Sequence, residues 1–127
     1  MTHGRRAFLW LAGGGITWLA VASSVSAHSI LLESVPATGA TVTSPPHLVV
    51  RFNGRLEKSL SSVTLVGPKS TAILLVRQES AHLERLIYRL PGLNPGQYQA
   101  KWKVLSADGH ITEGVVTFTV VSSPAPQ

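Results

Sequence analysis

From residue 30 onward the chain alternates apolar and polar residues in short runs separated by turn formers. The clearest run is GQYQAKWKV at 96–104, where Tyr98, Ala100, Trp102 and Val104 interleave with Gln97, Gln99, Lys101 and Lys103. A strict period of two marks a half-buried strand, so the first set predicts a core face and the second a solvent face. The triplet KWK would suit a nucleic-acid stacking site if Trp102 faced outward, but the alternation turns it inward, away from its lysines. Leu48, Val50 and Phe52 predict another inward face, as do Leu86, Tyr88 and Leu90, and Val116, Phe118 and Val120.

These runs predict seven strands, near 29–34, 48–53, 62–67, 71–77, 83–90, 96–105 and 113–121, punctuated by PATG, SPP, GPKS and PGLNPG. Strands at roughly 8–12-residue spacing are the pattern of an all-β sandwich. Tyr98 follows a Pro-Gly turn at the start of its strand, the position of a tyrosine corner, whose hydroxyl bonds back to upstream backbone. The predicted fold is a seven-stranded immunoglobulin-like Greek-key β-sandwich. There is no internal repeat, no second domain and no helical pattern beyond the N-terminal segment. SSPAPQ at 122–127 is too polar and proline-rich to pack and reads as a loose tail.

The first 27 residues have a different character. Arg5 and Arg6 precede an apolar stretch from Ala7 to Ala22, and Val25 and Ala27 place small residues at −3 and −1 of a cut after Ala27. That is the layout of a secretory signal peptide. An uncleaved anchor fits less well, because Gly13, Gly14 and Gly15 interrupt a stretch already short of the ~20 residues that span a bilayer. RRAFL at 5–9 resembles a twin-arginine export signal, with Gly4 where Ser or Thr is usual, and Sec export stays open. Cleavage would leave 100 residues, one small domain, and lower the formal charge from +5 to +3. No basic run resembles a nucleic-acid patch. With no cysteine, and Met1 as the sole methionine, the exported chain would carry no sulfur and no thiolate metal site.

Cleavage would also make His28 the first residue, joining an imidazole and an α-amine on one residue, a bidentate chelate. His47 and His82 read as loop or strand-entry residues and are assigned no role. His110 lies in SADGHI, where Asp-Gly between apolar strands is a strong hairpin signal. A turn does not require the histidine. If the segment is extended, Asp108 and His110 project from one face and form a two-ligand half-site. His28, Asp108 and His110 together would offer three nitrogens and an oxygen, a donor set suited to Cu(II) rather than Cu(I).

AHSILLESVPATGA, PPHLVVRFNGRLE and LNPGQYQAKWKVLSADGHITEGVVTFTV together resemble the CopC family of bacterial copper-resistance proteins over nearly all of residues 27–121. The resemblance implies a periplasmic copper-binding β-sandwich, often working with an inner-membrane copper-transport protein. It also implies a Cu(II) site, one per chain, built from the N-terminal histidine and the aspartate and histidine of a D-x-H motif. These map onto His28, Asp108 and His110. Two departures stand out. The chain cannot build the methionine-rich Cu(I) loop of some members, and Gly54 occupies a position where some carry a glutamate near the copper. Glu57, three residues further on, is left unassigned.

The expectation is therefore a monomeric, non-enzymatic periplasmic Cu(II) buffer or carrier with no nucleic-acid partner. A copper oxygenase with a histidine brace is the enzymatic alternative, but 100 residues without a surface aromatic row leave little room for an extended substrate. A triad of Ser106, Asp108 and His110 is poor, since neighbours on one strand cannot also supply an oxyanion hole. A metal-free interaction module, in which DGH is only a turn, is the third possibility.

Overall fold

The computed structural model describes residues 29–123 together with Gly14 and Gly15. The leader, the proposed cut and His28 lie outside the described residues, as do 124–127 of the tail. Among the described residues no helix is long and apolar enough to cross a membrane.

Two sheets face each other. One has four strands in the order β1 (Leu31–Val35), β3 (His47–Phe52), β7 (Arg85–Arg89), β6 (Val76–Gln78). The other has five, in the order β2 (Ala40–Val42), β9 (Ile111–Val120), β8 (Gly96–Leu105), β4 (Ser62–Val66), β5 (Ala72–Ile73). All pairings are antiparallel except β2 with β9. The pairing of β3 with β7 and β4 with β8 requires the chain to cross between sheets, as a Greek key does.

The alternating faces lie as their periodicity requires. Leu48, Val50, Phe52, Leu86, Tyr88, Tyr98, Ala100, Trp102, Val104, Val116, Phe118 and Val120 all line the core. Each large apolar side chain removed from water here contributes about 1.5–3 kcal/mol. Phe52 meets Trp102 edge-on across the sheets at 5.0 Å, and Tyr98 stacks on Phe118 at 5.6 Å. The Tyr98 hydroxyl donates to the Asn94 carbonyl at 2.6 Å, which makes the expected tyrosine corner.

The strand count differs from expectation: nine among the described residues, not seven. The run at 71–77 splits, with Ala72–Ile73 pairing β4 and Val76–Gln78 pairing β7, so the chain changes sheets at Leu74–Leu75. Ala40–Val42 forms an additional short edge strand on β9. Two single 3₁₀ turns, Lys58–Leu60 and Pro68–Ser70, are the only helical pieces among the described residues.

One end of the sandwich collects the start of β1, the link from β3 to β4, the start of β7 and the β8–β9 hairpin. Leu31 pairs with Phe52, Arg51 with Arg85, Ser62 with Lys103 and Leu105 with Ile111. Arg77, on β6, buttresses this end from within. Its guanidinium donates to the carbonyls of Lys58 and Ser61 and sits 5.8 Å from the centre of the Tyr88 ring.

Candidate metal centre

Asp108 and His110 are held by a turn, not by an extended strand. Antiparallel pairing of β8 and β9 ends at Leu105 and Ile111, and five residues close the hairpin. Ser106 N–H donates to His110 O at 2.9 Å and Gly109 N–H to Ser106 O at 2.9 Å. Gly109 adopts φ +91°, a conformation that glycine reaches without the steric cost of a Cβ. The Asp-Gly hairpin and the pairing of ligand types are thus one feature. The extended segment, with two side chains on one strand face, is replaced by a loop that folds the carboxylate back onto the imidazole.

The result is a compact polar cluster. His110 Nδ1 stands 3.1 Å from Asp108 Oδ1, both side chains remaining partly open to solvent. Ser106 is buried, and its hydroxyl engages Asp108 Oδ1 directly. Ser106 Oγ also donates to His110 O at 3.0 Å and accepts the His110 N–H at 3.2 Å. The Ser106 hydroxyl, and secondarily His110, hold the Asp108 carboxyl below its ordinary range. Asp108 is therefore an anion at neutral pH. Its Oδ1 is placed to accept a proton from His110 Nδ1 and so to orient the ring, as carboxylates do for metal-binding imidazoles.

The segment between β3 and β4 links this turn to the beginning of β1. Leu56 bridges Ser106, Glu57 N–H donates to Leu105 O at 2.8 Å, and Ala107 N–H to Arg55 O at 3.0 Å. On its other side, Asn53 exchanges hydrogen bonds with Ile30. Ser29, next to position 28, is buried, and its Oγ has no hydrogen-bond partner among the described residues.

The remaining candidates fall elsewhere or stay incomplete. His47 opens β3 on the outer face of the four-stranded sheet, and His82 lies in an exposed loop with Nδ1 3.6 Å from Glu84 Oε1. Glu57 is exposed, and among the described residues no three His, Cys, Asp or Glu side chains form a group that could hold a metal. Asp108 and His110 thus supply two donors, while His28 lies outside the described residues. The donor types fit Cu(II), a nitrogen and an oxygen with no sulfur. Sequence reasoning missed two supporting residues. In the sequence Ser106 reads only as a possible nucleophile, and Asn53 carries no signal, because its partner is 23 residues away.

The CopC domain matches residues 31–121. Protein YobA of Escherichia coli K12 is 34% identical over 109 residues, covering 83% of this chain and 88% of its own. Copper resistance protein C of Xanthomonas campestris pv. juglandis is 30% identical over 106 residues, covering 77% of this chain and 84% of its own. Among solved structures, CopC from Methylosinus trichosporium OB3b superposes with a TM-score of 0.72 at 31% identity, over 79% of this chain and all of that one. PcoC, a methionine-rich copper resistance protein from Escherichia coli, gives 0.67 at 28% identity, over 75% of this chain and 100% of its own.

Proposed function

The chain belongs to the CopC family, a family with copper resistance proteins among its members, and on that premise we propose that it binds one Cu(II) per chain and buffers or delivers copper in the periplasm. The observation that carries this reading is the Ser106–Asp108–His110 cluster, an ionised carboxylate against an imidazole at the end of the sandwich where β1 begins. The proposed ligands are the α-amine and imidazole of His28, exposed by cleavage after Ala27, with Asp108 and His110. Copper would arrive as cargo, so a site assembled from a chain end and a hairpin suits reversible loading. No catalytic step is assigned. An inner-membrane copper-transport protein is the proposed partner, and the chain would act as a monomer.

The direct test is a Cu(II) competition titration of the chain beginning at His28 against its His110→Ala and Asp108→Ala variants. Loss of a ligand or of the group orienting it is expected to weaken binding by at least about tenfold. Unchanged affinity in both variants would remove the hairpin from the site.

A further inference from the structure

We propose that Asn53 is a positioning residue for the copper site, a clamp that directs the N-terminal residues toward the Asp108–His110 turn. The inference rests on the reading above and adds to it the device that brings the two halves together.

The clamp acts at the start of β1. Its ladder with β3 runs out at Leu31 and Phe52. Beyond Phe52 the chain bends through Asn53 and Gly54, so β3 offers no further extended backbone to residues 29 and 30. Asn53 replaces it. Its Oδ1 accepts the Ile30 N–H at 2.9 Å, and its own N–H donates to Ile30 O at 3.0 Å. One side-chain amide thus continues the pairing by one residue, while Ile30 itself stays 58% exposed and contributes little burial to hold the strand end. The same link then reaches the hairpin through Arg55, Leu56 and Glu57, which bond to Ala107, Ser106 and Leu105. Asn53 is therefore the step that ties the start of β1 to backbone already anchored to the turn.

A merely structural role and a positioning role separate in a double-mutant cycle. Chains beginning at His28 suit the test, because residues 29–123 contain a complete core. Cu(II) affinity is measured for the parent, Asn53→Ala, His28→Ala and the double variant, with thermal unfolding of each apo form. Asn53→Ala is expected to weaken Cu(II) binding about tenfold when His28 is present and by a clearly smaller factor in His28→Ala, where only the α-amine of the chain end is left to position. In the apo protein, the Ile30 amide should exchange faster with solvent in Asn53→Ala. Asn53→Asp keeps the acceptor oxygen and should retain both the slow exchange and the coupling to His28. Equal losses in the two backgrounds, or loss of coupling in Asn53→Asp, would overturn the clamp and leave the N-terminal site standing. Wild-type affinity in His28→Ala would overturn the site, and the clamp with it.

Discussion

Trp102 on β8 is the direct cross-strand partner of Gly114 on β9, and its indole fills the space a side chain at 114 would need. A Cβ there would overlap ring carbons Cζ2 and Cε2, and the ring is wedged from the other side by Phe52. Gly114→Ala therefore overpacks a site whose neighbour is a buried indole packed against Phe52. The expected cost is about 1–3 kcal/mol, read as a drop of several degrees in the unfolding temperature of the apo protein. An unchanged unfolding temperature would show that the indole relaxes freely.

The same pair shows what was legible in the sequence. The alternation around Trp102 revealed its inward face, because period two follows from strand geometry alone. Nothing local to Gly114 revealed that a ring lies over it, since that depends on the register between β8 and β9. Leu74 and Leu75 are apolar like the residues before them, so the change of sheet there left no local mark, and two strands read as one. Asp108 and His110 were legible as ligand types two residues apart. Their meeting through a turn required the Ser106 hydroxyl, and the clamp at Asn53 required the register of β1 against β3.

The hairpin should also report pH in the metal-free protein. Asp108 is held below its ordinary value of 3.8, first by the Ser106 hydroxyl and then by His110. A carboxyl with a depressed folded-state pKa binds fewer protons folded than unfolded. Its stabilisation is present above about 3.8 and is lost as pH falls through the lower folded value. Comparing apo wild type with Asp108→Asn by thermal unfolding, the wild-type advantage should be present at neutral pH and shrink in strong acid. A difference independent of pH would mean that ionisation of Asp108 does not stabilise the turn.

Sulfur content separates this chain from the methionine-rich PcoC it resembles in fold. It has no cysteine, and its single methionine is Met1, ahead of the proposed cut. Only imidazole, amine and carboxylate donors remain, and these favour Cu(II) over Cu(I). Competition with a Cu(I) chelator should therefore strip the metal at concentrations where an equally strong Cu(II) competitor does not. Comparable retention of both states would refute a single nitrogen–oxygen site.

The last prediction concerns the chain end itself. If His28 acted only through its imidazole, residues placed ahead of it would change little. If the α-amine is also a ligand, one extra residue converts that amine into an amide, whose nitrogen is not basic and cannot donate in the same way. A chain beginning Met-His28 should then bind Cu(II) at least about tenfold more weakly than one beginning at His28, the loss expected for removing a ligand from a four-donor set. His28→Ala should bind more weakly still, since it loses the imidazole and leaves only the amine. Amine and imidazoles must both shed protons to ligate, so affinity should also fall on acidification. None of these changes touches the core, whose first contributor is Leu31, so the three apo proteins should unfold at the same temperature. Equal Cu(II) affinity for the native and extended chains would eliminate the amine as a ligand and leave the hairpin to bind copper with His28, at most, as a side chain.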